Sequence, residues 1–194
     1  MENFEDIKFI DLSKNLKNKG CLIDSSSIIY LDRINLLSVI VQNYKIKTID
    51  LIKLEVLSNI DKQLNEIELL NNIEIVNKIT DDNLNNFLPS NFTDTTTNQF
   101  SKISMTDRYL IYSSFFYGFP ILTDDGVISK ICNHRKHPYY NSLIAILLLL
   151  YDDLITVENA IDSFYKINKF GRYSDKIFSF AFKILERIIK SKNI

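Results

Sequence analysis

Five carboxylates stand in settings where a charge is costly. Asp24 ends the apolar run CLID and precedes three serines, Glu55 lies in LIKLEVL, Asp107 lies in SMTDRYLI, and Asp124 and Asp125 follow FPILT. An unpaired charge buried among such residues costs several kcal/mol. Converging carboxylates with no basic partner become tolerable when a hard cation neutralises them, and oxygen-only ligation suits Mg2+ or Mn2+. Cys21 and Cys132 are the only cysteines, and His134 and His137 the only histidines. That set argues against a zinc site and against a disulfide framework, and both cysteines read as free buried thiols. Each acid also has a plainer reading. Asp24 in DSSS caps a helix. Asp107 complements a helix dipole from the first turn. Glu55 is a solvated helix residue, and Asp124-Asp125 before Gly126 form a strand-to-helix turn. Their conjunction favours one shared acidic site.

The elements that must carry these acids follow from periodicity. CLID is too short and too apolar for a helix and reads as a buried strand. SSSIIYLDRINLLSVIVQNY has Ile28, Ile29, Leu31, Ile34, Leu36, Leu37 and Ile40 spaced for one amphipathic helix. The stretch 45–59 begins as a strand and becomes a helix, 60–72 continue helical, and 73–79 alternate as a strand. Residues 80–104, rich in Thr, Asn, Asp and Ser, read as a loop with a short helix. A helix over 105–118 has Ser104 or Thr106 as N-cap and Gly118 as its stop. FPILT is a strand, DDGVISKICNHR opens another helix, and from 141 onward the chain reads as all helical. Residues 1–20 form a polar extension with a short strand or helix near IKFIDL. The alternation of strand and helix implies an α/β protein with a parallel sheet. In such sheets ligands bind outside the carboxyl ends of the strands. Asp24 ends the first strand and Asp124 and Asp125 end the last.

In this order and spacing the acidic motifs resemble those of PIN domains. LIDSSSII resembles the family's first motif, a strand-terminal Asp followed by Ser or Thr. TIDLIKLEVL resembles the motif with a glutamate in the helix after the second strand. ISMTDRYLIYSSFFYGFPILTDDGVI carries the strongest likeness, with an Asp at a helix start, a strand, and then Thr-x-Asp. The resemblance covers roughly 21–135. It implies a Rossmann-like, three-layer α/β/α PIN-type fold with a central parallel sheet: an N-terminal extension over 1–20, a nuclease core over 21–140 and a C-terminal helical extension over 141–194. It implies a metal-dependent endoribonuclease, toxin-like or defence-related, with an antitoxin protein or a second copy as candidate partners and DNA as the alternative substrate to RNA. By position, Asp24, Glu55, Asp107 and Asp125 match the family's acidic residues. Asp24, Asp107 and Asp125 would hold the ion, and Asp124, at the variable position, would reach a second ion through water. Ser26 is expected to hold Asp24 by a hydroxyl hydrogen bond, and Thr123 to do the same for the last Asp. Phosphodiester hydrolysis needs an activated water and a neutralised oxyanion, which one or two such ions supply.

Composition sets the remaining bounds. A chain of 194 residues buries roughly 70% of its unfolded surface, enough for a core without staples. A formal net charge of −1 weighs against a chain that binds polyanions over its whole surface, so any nucleic-acid contact must be local. The most basic and aromatic run is CNHRKHPYY, and His134, Arg135, Lys136 and His137 are candidate contacts to phosphate and base; a solvated positive loop is the plainer reading. Four scattered glycines exclude phosphate-cradling loops. The start MENFEDIKFI is acidic and gives no sign of a signal peptide. LIAILLLLY is about half the ~20 residues of a membrane span, so the expectation is a cytoplasmic protein with a buried helix there.

Overall fold

A computed structural model describes residues 9–58, 67–76 and 103–192 of the chain. The described strands are β1 (Cys21–Ile23), β2 (Ile46–Thr48), β3 (Glu74–Ile75), β4 (Ile121–Leu122) and β5 (Tyr139–Tyr140). The described α-helices are α1 (Phe9–Asn18), α2 (Ser25–Arg33), α3 (Leu37–Asn43), α4 (Asp50–Ser58), α5 (Met105–Tyr117), α6 (Gly126–His134), α7 (Ser142–Tyr151), α8 (Val157–Phe170) and α9 (Asp175–Lys192). A 3-10 helix spans Ile67–Asn72. The expected helix over 60–66, the end of the expected strand over 77–79, and the loop with its helix over 80–102 lie outside the described residues.

The strands form one parallel sheet in the order β3-β2-β1-β4-β5. The chain therefore lays down β1, β2 and β3 outward in one direction, then returns to the other side of β1 for β4 and β5. The switch point lies between β1 and β4, where Leu22 faces Ile121 and Ile23 faces Leu122. The architecture is α/β and consistent with three layers, helix, sheet, helix. β1 is apolar and buried along its whole length, as a central strand covered on both faces must be.

Local chemistry fixes the entry to that strand. Gly20 has φ +88°, and a Cβ there would meet the Lys45 carbonyl oxygen at 2.1 Å. Only glycine allows the turn from α1 into β1 so close to the β2 backbone. At the C-terminal side, Ser142 to Leu150 of α7 are all buried. A helix apolar all round must be enclosed, and α7 is packed against α1, α2, α3, α8 and α9. Among the described residues the buried side chains from Phe9 to Ile188 accordingly form one core cluster. No helix among the described residues is long and apolar enough to cross a membrane.

Two elements differ from the sequence reading. The single helix expected from Ser25 to Tyr44 is two helices, α2 and α3, separated at Asn35 with φ 58°; asparagine is among the few residues that enter the left-handed region readily. The region near IKFIDL, expected as a short strand or a helix, is from Phe9 onward the helix α1. Tyr139–Tyr140, expected in a basic loop, is the edge strand β5, with the Thr123 N–H donating to the Tyr140 carbonyl at 2.8 Å.

Candidate active site

At the carboxyl edge of the switch point β1 ends in Asp24. Its backbone takes the extended N-cap conformation for α2, yet its side chain makes no capping bond. The carboxylate is 2% exposed and is held from both sides of the crevice. The Ser26 hydroxyl donates to Oδ2 at 2.6 Å and the Thr123 hydroxyl to the same oxygen at 2.8 Å. The Ser25 hydroxyl lies 3.3 Å from Oδ1. Burial pushes the Asp24 carboxyl up to about 6; the Ser26 and Thr123 donors oppose that rise, and the negative charges of Asp107 and Asp125 add to it. The capping reading of Asp24 thus describes its backbone and not its carboxylate.

The other acids arrive from three helices. Asp107 sits in the first turn of α5 in a capping box: Ser104 Oγ accepts from the Asp107 N–H at 3.1 Å. Asp107 Oδ2 accepts from the Ser104 hydroxyl at 2.8 Å and N–H at 3.3 Å. Its carboxyl is raised above the ordinary range, first by burial and then by the charge of Asp125, against the Ser104 donors. Asp125 is the N-cap of α6; its Oδ1 accepts from Val127 N–H at 2.7 Å and Ile128 N–H at 2.9 Å. Glu55 on α4 receives the Ser25 hydroxyl at 3.1 Å on Oε1, so one serine links Glu55 and Asp24. The structure therefore brings Asp24, Asp107 and Asp125 into one electrostatic neighbourhood and ties Glu55 to it.

A common pattern joins the three aspartates. Asp24 uses Oδ2, Asp107 uses Oδ2 and Asp125 uses Oδ1 for positioning bonds. Among the described residues the second oxygen of Asp107 and of Asp125 accepts no hydrogen bond, and that of Asp24 has only the long contact to Ser25. No Lys or Arg of the described residues forms an ion pair with any of the three. Oxygen donors, net negative charge and absent cations match a hard divalent ion in kind. Among the described residues no three Asp, Glu, His or Cys side chains are drawn together into a ready-made metal group. An ion would have to draw the carboxylates inward.

Asp124 behaves differently. Oδ2 accepts from Ser27 Oγ at 2.7 Å and from Ser142 Oγ; Oδ1 accepts from Ser142 N–H at 3.1 Å and from the Tyr173 hydroxyl. Both oxygens are committed to α2, α7 and the α8–α9 connection, which leaves neither for the water-mediated ion contact expected of it. Thr123 likewise departs from expectation: its hydroxyl serves the Asp24 carboxylate and accepts the Asp125 N–H at 3.1 Å.

His134, Arg135, Lys136 and His137 are not brought to the acids. α6 begins at the carboxyl edge with Asp125 and carries the chain about 13 Å away at 1.5 Å per residue. The run follows its C-terminus, at the amino edge of the sheet before β5. His134 and Lys136 are exposed there. The His137 ring stacks on Phe115 at 4.2 Å, and its Nε2 lies 2.9 Å from the Phe119 carbonyl and 2.5 Å from Ser114 Oγ. A carbonyl only accepts, so Nε2 carries the proton, and burial holds the His137 pKa below its ordinary value. His137 fastens the α6–β5 connection to α5 and to the turn before β4, and sequence adjacency to the acids is undone by the parallel crossover.

Ser25, Ser27, Ser142 and Tyr173 also belong to the site. Ser25 and Ser27 carried a local signal, a serine run directly after a strand-end Asp. Ser142 and Tyr173 carried none, because they meet Asp124 across 18 and 49 residues of chain. No protein-family model matches the chain, and no curated protein or solved structure is similar to it.

Proposed function

We propose that the chain is a metal-dependent nuclease of PIN type that hydrolyses phosphodiester bonds in RNA. The observation that carries this reading is the set of Asp24, Asp107 and Asp125. They stand at the carboxyl edge of the switch point, each with one oxygen fixed by neighbouring hydroxyl or N–H groups and none with a cationic partner among the described residues. Mg2+ or Mn2+ held by these three would polarise a phosphoryl oxygen and activate water. The chain's own residues prepare the place. Ser26 and Thr123 orient Asp24. Ser104 orients Asp107. The first turn of α6 orients Asp125, and Glu55, linked through Ser25, is the residue set to hold a water or a proton beside Asp24.

The test is cleavage of a mixed single-stranded RNA pool in Mn2+ or Mg2+, with EDTA controls, by the wild type and Asp107→Asn side by side. Metal-dependent cleavage lost by at least a hundredfold in a folded variant is the expected result. Asp107→Asn keeps an oxygen acceptor for Ser104, so loss of the cap does not account for loss of activity. Cleavage of single-stranded DNA alone would move the substrate class. A second reading, a PIN-like scaffold serving in binding or assembly without catalysis, is favoured by the lack of a closed ligand group among the described residues. It predicts a stably folded wild type that neither binds the ions nor cuts either polymer.

A further inference from the structure

Besides Ser142 of α7, the connection between α8 and α9 reaches the acidic edge. Gly171 to Ser174 connect α8 to α9, and from this connection the Tyr173 hydroxyl donates to Asp124 Oδ1. The ring is guided there by its neighbour: a Cβ on Gly171 would come within 2.6 Å of Tyr173 Cε2 and within 2.6 Å of the Ile167 carbonyl. Glycine clears the space that the tyrosine ring fills. The other donors to Asp124 come from Ser27 on α2 and from Ser142 at the first turn of α7.

What Asp124 holds in turn is the strand-to-helix turn of the site. Its N–H faces Ser26 Oγ at 3.3 Å, the same hydroxyl that fixes Asp24. On one side of it Thr123 donates to Asp24, and on the other Asp125 caps α6. We infer that Tyr173 is a positioning residue of the acidic site. It acts through Asp124 to set the Thr123–Asp125 turn against Asp24, which makes the α8–α9 connection a working part of the site rather than a distant support. This inference rests on the nuclease reading for its catalytic consequence and on geometry alone for its positional one.

Positioning partners one step removed from metal ligands commonly change affinity or activity by 10- to 100-fold when lost, and Tyr173, which reaches the ligands only through Asp124 and the turn, stands one step further out. Tyr173→Phe keeps the ring against Gly171 and removes only the donor. The expected result is a folded variant whose thermal midpoint falls by only a few degrees, Mn2+ affinity weakened about tenfold by calorimetry, and cleavage lowered in kcat with little change in KM. The Asp124 N–H, which faces Ser26 Oγ, and the Asp125 N–H, which donates to Thr123 Oγ1, should exchange with solvent at least tenfold faster than in the wild type as the turn loosens. Because the effect passes through Asp124, the double variant Asp124→Asn, Tyr173→Phe should be no worse than Asp124→Asn alone. Wild-type exchange at both amides in Tyr173→Phe overturns the inference. A wild type that neither binds Mn2+ nor cleaves overturns the nuclease reading instead, and exchange at the Asp124 and Asp125 amides still decides the role of Tyr173.

Discussion

Asp24 is more comfortable protonated than charged. It is 2% exposed, and its carboxyl is pushed up to about 6 from an ordinary value of 3.8. Between those values the folded chain holds a proton that the unfolded chain has released. The contribution of Asp24 to stability is therefore fully present below about pH 3.8, declines as pH rises, and is lost above about 6. A shift of this size corresponds to about 3 kcal/mol. In EDTA, Asp24→Asn should thus be more stable than the wild type at pH 7.5 by up to that amount, with the two converging below pH 4. Denaturant melts at the two pH values check it. Equal stability of both proteins at pH 7.5 would mean that the Ser26 and Thr123 donors already offset the burial of the charge. A residue that destabilises the fold at neutral pH and is nevertheless wrapped by hydroxyls is placed for something other than stability.

Helix ends carry the site, and one of them can be separated from its chemistry. Asp125 both caps α6 through Oδ1 and places its charge beside Asp24 and Asp107, so Asp125→Ala loses two things at once. Asp125→Ser keeps a capping oxygen. Loss of an N-cap costs about 1 kcal/mol, so the alanine variant should lose about that much and the serine variant only a few tenths. Both should lose metal-dependent cleavage by tenfold or more. Urea melts beside cleavage rates distinguish the two effects; a serine variant with full activity would confine Asp125 to capping. Elements of this kind were largely legible in the sequence. Ser104 and Gly118 do bound α5 as its N-cap and C-cap, and CLID and FPILT do form neighbouring strands. The break at Asn35 escaped a reading by periodicity, because Ile34, Leu36 and Leu37 are apolar on either side of it and all are buried. β5 escaped because two tyrosines in a basic run become a strand only through the backbone of β4. Tyr173 escaped because nothing in NKFGRYSDKIF points to an aspartate 49 residues earlier.

At the scale of the whole molecule the sheet has two unlike edges. α2, α5 and α6 begin at the carboxyl edge, and Asp24, Asp107 and Asp125 stand at or within the first turn of those helices. The positive ends of three helix dipoles thus lie where the acids gather, each worth up to about 1 kcal/mol at a surface. That offsets part of the mutual repulsion without any Lys or Arg of the described residues ion-paired to the three acids. The residue of it is visible in Asp24 and Asp107, each raised in part by a neighbouring acid. A divalent cation that relieves this repulsion binds the folded chain and not the unfolded one, so it must stabilise the fold. At free Mn2+ a hundredfold above its dissociation constant the gain is about 2.7 kcal/mol. For a chain of this size that corresponds to a rise of roughly 5–10 °C in thermal midpoint. EDTA should reverse the rise, Asp107→Asn should reduce it, and the exposed His134→Ala, at the opposite edge, should leave it intact. Calorimetric scans of the three proteins with and without Mn2+ read it directly. A rise that persists undiminished in Asp107→Asn would put the ion somewhere other than the switch-point crevice.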